Sequence, residues 1–209
     1  MGKRRLIGKI VILMLGLAAV VILVANSDTI PVSTPKKGYR VVIDPGHGGS
    51  DCGAVGVSGV KEAGLNLAVS LYLKEELEAL GMEAILTRSD ERALAEGKKA
   101  DMAARGKIMN GEGVDLVVSV HMNKFTDPSV HGPMAFYMKG SAEGEKLAKT
   151  VIDSITDELG APRRIANPGD YYVIRESMPV SVLVECGFLS NSGDEALLQQ
   201  EQHQKKLAH

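Results

Sequence analysis

The stretch RVVIDPGHGGSDCGAVG, residues 40–56, decides the fold, because a short run of β-branched residues leads directly into a glycine-rich turn. The run predicts a β-strand over residues 39–44, and the turn holds one histidine, His47, among five glycines. Three interpretations are open: a phosphate cradle, a simple turn, or a loop that presents the imidazole as a ligand. The phosphate cradle is disfavoured, because the spacing breaks the G-x-G-x-x-G rule at its last position and no G-K-[ST] follows.

Strands and helices alternate along the rest of the chain. Apolar residues at helical spacing predict a helix over residues 65–80, with further helices over 101–109, 141–159 and 194–207. Short apolar runs predict strands over residues 82–87, 115–121, 132–138 and 181–186. Strands separated by helices of this length predict an α/β layered sheet.

The first 26 residues differ in composition from the remainder. Four basic side chains within residues 1–9 precede an uncharged apolar run over residues 10–25, the pattern of a signal anchor or a cleaved signal peptide. The run is short for a span of about 20 residues, but residues 6–8 extend it if Lys9 snorkels toward the headgroups. The small-x-small sequence Ala25-Asn26-Ser27 leaves cleavage open. The basic flank predicts that the chain after Ser27 lies outside the cytoplasm.

Beyond this segment, residues 27–38 contain two prolines and no apolar period, which predicts a linker. Residues 10–209 carry 20 basic and 26 acidic side chains, a balance of −6 that disfavours binding to nucleic acid through its backbone charge. The two cysteines, Cys52 and Cys186, lack C-x-x-C spacing and cannot build a disulfide framework. A single disulfide between them is left open.

Three polar side chains lie at the carboxyl ends of predicted strands. His47 comes after the first strand, His121 ends the sequence DLVVSVH, and Glu185 ends VSVLVE. In open α/β sheets these strand ends share one crevice, where ligands bind. A carboxylate at the end of an apolar strand is costly to bury unless it is paired or lies near a cation. A divalent metal ion would satisfy all three groups at once.

Catalytic zinc takes three protein ligands and leaves its fourth position for water. The available set is His47, His121 and one carboxylate. Glu62 is the best placed acid, because it lies immediately before the predicted helix and at the end of the loop that His47 opens. The competing acids are Asp44, Asp51 and Asp115, of which Asp51 is the closest rival by loop position. Each feature also has a structural interpretation: a turn for the glycines, internal hydrogen bonding for a histidine, and a dipole-favoured surface acid for Glu62.

Five local sequences occur in a fixed order along the chain. They are DPGHGG at residues 44–49, KE at 61–62, TRSD at 87–90, DLVVSVHMN at 115–123 and VLVECGFLSN at 182–191. Together they resemble the zinc-dependent N-acetylmuramoyl-L-alanine amidases of bacterial cell-wall metabolism. The resemblance implies a twisted, mostly parallel or mixed sheet of about six strands flanked by helices, within one catalytic domain over residues 39–209.

The resemblance also implies roles for individual residues. The zinc ligands would be His47, Glu62 and His121, and the catalytic carboxylate would be Glu185. Arg88, Arg105, Asn110 and Asn123 match further recurring polar positions and are predicted to serve the structure or to bind substrate. Substrate binding is predicted in particular for Asn123, Arg88 and Arg105.

The implied reaction is hydrolysis of the amide bond between the lactyl group of N-acetylmuramic acid and the L-alanine of the stem peptide. Zn²⁺ would lower the pKa of a water toward about 7, while Glu185 would take its proton and return it to the leaving nitrogen. Two alternatives stay open: a catalytically silent peptidoglycan-binding domain and a peptidoglycan carboxypeptidase. An amidase domain behind a signal anchor also resembles the amidases that modify spore cortex and prepare muramic δ-lactam.

The family resemblance and the N-terminal segment also imply partners and a location for the protein. The expected partners are peptidoglycan strands, the cytoplasmic membrane through residues 1–26, and an extracytoplasmic activator protein, with no nucleic acid expected among them. The protein is expected outside the cytoplasm, anchored by its N-terminal segment or secreted if that segment is cleaved.

Overall fold

The computed structural model describes residues 38–161 and 164–209, so the predicted signal segment and nearly all of the predicted linker lie outside the described residues. The strands are β1 Arg40–Pro45, β2 Glu83–Leu86, β3 Leu116–Asn123, β4 Met134–Met138, β5 Asn167–Gly169 and β6 Val180–Phe188. They form one sheet in the order β2-β1-β3-β6-β4-β5. Neighbouring strands are parallel except β4 and β6, which are antiparallel. The predicted mixed sheet of six strands is confirmed.

Helices cover both faces of the sheet. They are α1 Glu62–Ala79, α2 Lys98–Met109, α3 Ala142–Leu159, α4 Tyr172–Arg175, α5 Ser192–Leu198 and α6 Glu201–Ala208. The prediction of a single helix over residues 194–207 is wrong. The chain is extended at Gln200 (φ −90°, ψ 125°) and forms the two helices α5 and α6 instead. The break lets Leu198 and Leu207 both reach the core, where each is buried.

Two apolar layers follow from the alternation of side chains along each strand. One layer packs Ile43, Val120 and Val184 against α1, α3 and α6. The other layer places Val42 and Val117 against Met109 of α2 and the residues of α4. Adjacent residues such as Val42 and Ile43 therefore enter different layers, and the central strands are buried on both faces, as parallel strands usually are.

Within residues 38–161 and 164–209, no helix combines the length and the apolarity needed to traverse a lipid bilayer. The carboxyl ends of β1, β3 and β6 lie side by side at one edge of the sheet, since these three strands are parallel neighbours. This edge carries the polar residues that the sequence singled out.

Candidate metal centre

Three side chains from distant parts of the chain converge at the carboxyl edge of the sheet. His47 lies two residues after β1, Glu62 is the first residue of α1, and His121 lies near the end of β3. Glu62 Oε1 lies 2.8 Å from His121 Nδ1 and 3.2 Å from His47 Nε2. One ligand atom from each residue falls within 4.8 Å of the other two, and among the described residues no other group of His, Cys, Asp and Glu has this geometry.

His47 adopts a backbone conformation that is rare for a residue with a side chain. Its φ is +61°, the only positive φ of a non-glycine residue in the described ranges. Such a conformation costs on the order of 1 kcal/mol or more and persists only where the surroundings impose it. Two contacts do so: Asp51 Oδ1 lies 3.0 Å from the ring Nδ1, and Arg105 Nη2 donates to the His47 carbonyl at 2.5 Å. The contact with Asp51 leaves Nε2 directed at Glu62.

The hydrogen bonds of the cluster set its charges. Burial alone would lower the pKa of His47, but the contacts with Glu62 and Asp51 raise it above its ordinary value. Burial opposes ionisation of Glu62, yet its hydrogen bonds with His121 and His47 hold its pKa far below the usual range. Glu62 Oε2 also accepts a hydrogen bond from the Ala54 backbone N–H at 2.7 Å. The carboxylate is therefore ionised and fixed in orientation, as a metal ligand must be.

Two glycines let the loop approach the cluster closely. A Cβ at Gly46 would lie 2.1 Å from the His121 ring. A Cβ at Gly53 would lie 2.4 Å from Glu62 Oε2 and 2.7 Å from the His47 ring, and Gly53 also has φ +67°. The absence of a side chain at Gly46 and Gly53 allows His47, Glu62 and His121 to meet. Two imidazole nitrogens and one carboxylate oxygen are a donor set that catalytic zinc accepts, so the residues present fit a zinc ion.

Glu185 lies beside the cluster without belonging to it. In the β3–β6 ladder it pairs with His121, so the two side chains share one face. Glu185 is 8 % exposed, and its buried Oε2 accepts no hydrogen bond within the described residues. Burial raises the pKa of Glu185 to about 7, with opposing effects from His121 and Glu62. A buried carboxyl of this kind can hold or release a proton near neutral pH.

These groups line one cleft of about 380 Å³. Its walls come from the turn after β1, the start of α2, the end of β3 and the start of α4. Besides His47, Glu62, His121 and Glu185, its lining includes Asp51, Lys98, Met102, Asn123, Lys124 and Tyr171. A cleft that holds both the three-residue cluster and a free carboxyl provides space for a substrate beside them.

None of the rival acids groups with both histidines as Glu62 does. Asp44 is 1 % exposed and accepts a hydrogen bond from Arg105 Nη1 at 2.8 Å. Asp115 precedes β3 at the opposite edge of the sheet, where its Oδ2 accepts the Arg40 backbone N–H at 2.8 Å. Asp51 contacts the ring nitrogen of His47 that faces away from Glu62. The structure thus brings Glu62, rather than any rival, to the two histidines.

The remaining predicted residues divide between the cleft and the protein interior. Asn123 is half-buried and lines the cleft. Arg88 and Arg105 are 3 % and 1 % exposed. Arg88 donates only to backbone carbonyls within the described residues, whereas Arg105, which also borders the cleft, donates to two backbone carbonyls and to the carboxylates of Asp44 and Asp101. These internal contacts favour the structural alternative for both. Asn110 follows α2 and bonds to the Glu176 carbonyl and the Met178 N–H, outside the residues that line the cleft.

The contributions that three further residues make to the site were not predicted from the sequence. Asn66 is fully buried and donates to Gly46 O at 3.1 Å and to Glu62 Oε1 at 3.3 Å. Its spacing of four from Glu62 in a helix was a usable signal, because such residues share a face. Asp51 was considered only as a ligand, although it orients the His47 ring. Tyr171 lines the cleft near Glu185, and nothing in its local sequence indicates this.

Comparison with known proteins gives one family and several relatives. The profile of the N-acetylmuramoyl-L-alanine amidase family matches residues 41–209. The chain is 32% identical over 192 residues to the germination-specific N-acetylmuramoyl-L-alanine amidase of Bacillus subtilis strain 168, covering 88% of this chain and 81% of the relative.

Solved structures agree with this result. The CwlD amidase of Clostridioides difficile, solved in complex with the GerS lipoprotein, superposes with a TM-score of 0.77 at 31% identity, covering 81% of this chain and 92% of the other. The catalytic domain of CwlV, an N-acetylmuramoyl-L-alanine amidase from Bacillus (Paenibacillus) polymyxa var. colistinus, gives a TM-score of 0.74 at 32% identity with the same coverage, 81% and 92%.

Proposed function

Since the chain belongs to the N-acetylmuramoyl-L-alanine amidase family, we propose that His47, Glu62 and His121 hold the catalytic zinc ion of this peptidoglycan hydrolase. The chain cleaves the amide bond between N-acetylmuramic acid and L-alanine in peptidoglycan. The observation that carries the zinc assignment is the convergence of two imidazole nitrogens and one ionised carboxylate oxygen within 4.8 Å. When bound, zinc supplies a Lewis acid that polarises the scissile carbonyl and lowers the pKa of water.

Glu185 has the properties of the proton carrier for this reaction. Its carboxyl is buried beside His121, and its Oε2 accepts no hydrogen bond within the described residues. In its ionised form it would take the proton of the attacking water, and in its protonated form it would deliver that proton to the leaving nitrogen of L-alanine. A cation at the neighbouring cluster would favour the ionised form at the start of the cycle.

Digestion of purified muropeptides tests this assignment directly. The full-length chain, purified in detergent with and without added zinc, is incubated with muropeptides, and the products are identified by mass spectrometry. Release of the intact stem peptide is expected only with zinc. Loss of a terminal D-alanine would instead favour the carboxypeptidase, and the absence of any cleavage with zinc bound would favour a silent binding domain.

We also propose that the protein acts on spore cortex outside the cytoplasm, with residues 1–26 as a membrane anchor or a cleaved signal. The printed name of the Bacillus subtilis relative, a germination-specific amidase, supports the cortex role, and the basic and apolar composition of residues 1–25 supports export. Expression in a Bacillus subtilis strain that lacks its germination-specific amidase is expected to restore muramic δ-lactam to the cortex, whereas the Glu185→Gln variant is not.

An extracytoplasmic partner is part of the same proposal. The CwlD amidase of Clostridioides difficile was solved in complex with a lipoprotein, which supports a partner of that kind here. Muropeptide cleavage by the purified chain alone, at a rate unchanged by extracts of the outer face of the membrane, would contradict a requirement for an activator.

A further inference from the structure

Two buried guanidinium groups bind the backbone of the turn that carries His47. The carbonyls of Pro45, Gly46 and His47 are consecutive in the chain, and each accepts a hydrogen bond from Arg88 or Arg105. A backbone that turns three successive carbonyls inward needs donors inside the protein, because such groups are expensive to bury unpaired. The two arginines supply those donors at the point where His47 adopts its positive φ.

Arg105 is the arginine that reaches His47 itself. Its Nη1 donates to Asp44 Oδ1 at 2.8 Å and to Pro45 O at 2.7 Å, and its Nη2 donates to His47 O at 2.5 Å. Its Nε donates to Asp101 Oδ2, one helical turn earlier in α2, at 2.7 Å. All three nitrogens of the side chain are therefore used, and the guanidinium plane is fixed between α2 and the turn.

Arg88 joins the same turn to the helix that carries Glu62. Its Nη2 donates to both Gly46 O and Ala63 O at 2.8 Å, and these carbonyls belong to the residues adjacent to His47 and Glu62. Its Nε donates to Pro45 O at 2.9 Å. All the hydrogen bonds that Arg88 donates in the described part of the chain go to backbone carbonyls.

Burying the positively charged guanidinium groups of Arg88 and Arg105 close together costs free energy, because both lose their hydration and they repel each other. Arg88 and Arg105 are each 3 % exposed or less, and burial together with the charge of Arg105 lowers the pKa of Arg88 to about 10. Arg105 faces two carboxylates, but Arg88 forms no ion pair within the described residues. A neutral side chain would fill the position of Arg88 at lower desolvation cost, although it would not offer a planar fork of donors to the four backbone carbonyls that Arg88 binds.

We propose that Arg88 and Arg105 are positioning residues that fix His47 relative to Glu62 and thereby set the zinc affinity of the site. The inference rests on the proposed zinc site. Neither guanidinium needs to touch zinc or substrate for this role. Supporting groups around metal ligands typically change metal affinity by about 10- to 100-fold when they are removed, which makes the effect measurable by chelator competition.

The test compares zinc affinity among full-length variants purified in detergent. Arg88→Lys and Arg105→Lys keep the charge but lose the planar fork, and Arg88→Met removes the cation without leaving a carboxylate unpaired. Ser141→Ala is the control, because it removes the hydrogen bond that Gly144 N donates to Ser141 Oγ at the start of α3 and touches none of the three carbonyls or their arginines. Unfolding by urea, with zinc chelated, gives the stability of each variant.

Zinc affinity is expected to fall at least about tenfold in both lysine variants and in Arg88→Met, while Ser141→Ala binds zinc like wild type despite its lower stability. Wild-type affinity in any folded arginine variant would overturn the proposal. So would an equal loss in Ser141→Ala, since the effect would then follow general destabilisation. Failure of wild type itself to bind zinc would instead contradict the proposed function.

Discussion

At the scale of single residues, environment gives chemically similar groups different properties. Glu62 and Glu185 both lie at the carboxyl edge of the sheet, but Glu62 contacts two histidines whereas Glu185 is buried without a partner for Oε2 in the described residues. Burial opposes ionisation in both. The hydrogen bonds of Glu62 with the two histidines outweigh the effect of burial and lower its pKa, whereas burial raises the pKa of Glu185 to about 7. One carboxyl is thereby suited to bind a cation and the other to carry a proton.

Glu185→Gln and His121→Ala separate these two roles. Glutamine keeps the size of the side chain but cannot take a proton, so turnover is expected to fall by about 10²- to 10⁴-fold with zinc still bound. His121→Ala removes a ligand, so both zinc and turnover are expected to be lost. Zinc content by metal analysis and muropeptide cleavage are measured on the same samples. Equal loss of zinc in the two variants would show that Glu185 is a ligand instead.

The raised pKa of Glu185 also predicts a pH dependence of stability in the zinc-free protein. The folded state keeps the proton to higher pH than the unfolded state, so unfolding free energy falls as pH rises from about 4.5 to about 7. The loss is about 3 kcal/mol, and Glu185→Gln should lack it. Urea unfolding with chelator at pH 5 and pH 8 measures the difference. A gap between wild type and variant that stays constant with pH would contradict the burial of an ionisable carboxyl here.

At the scale of elements, sequence periodicity was most informative where apolar residues recur at a regular spacing. The apolar strands β1, β3 and β6 and the long helices α1 and α3 were predicted from local pattern, with their bounds shifted by a few residues. The short elements β5 and α4 were not predicted. β5 has only three residues and contains Pro168, and its pairing with β4 is a tertiary contact that no local pattern encodes. The break at Gln200 was missed for a similar reason, since no proline or glycine marks it.

The turn after β1 must lie close to β3, which gives an element-scale prediction. Gly46→Ala would place a methyl group 2.1 Å from the His121 ring, so the turn must move and zinc binding and turnover are expected to be lost. The matched control is Gly64→Ala in α1, where an added Cβ meets nothing within 4 Å. That change is expected to stabilise the protein by about 0.5 to 1 kcal/mol. Zinc affinity and urea unfolding of both variants are compared, and normal zinc affinity in Gly46→Ala would contradict the close packing.

At the scale of the whole molecule, the candidate site depends on long-range topology. Its three proposed ligands come from the β1 turn, the start of α1 and β3, and the β3–β6 ladder brings Glu185 beside them. Position at a strand end or at the start of a helix singled out these four residues in the sequence, and the family resemblance implied their roles. Arg88 and Arg105 were named from the sequence, but the inward carbonyls of the turn and the hydrogen bonds that these arginines donate to them were not predicted, because backbone direction in a glycine-rich loop depends on contacts with α1 and α2.

Because the proposed ligands join separate parts of the fold, zinc should stabilise the entire domain. Free zinc at 100 times its dissociation constant is expected to raise the unfolding free energy by about 2.7 kcal/mol, and chelator should remove that gain. His121→Ala should not respond to zinc. Ser141→Ala is the control: it removes the hydrogen bond from Gly144 N to Ser141 Oγ at the start of α3, which costs about 1 kcal/mol, but should keep the full zinc response. Thermal unfolding with zinc and with chelator measures all three proteins. Equal stabilisation of wild type and His121→Ala would place the zinc elsewhere in the molecule.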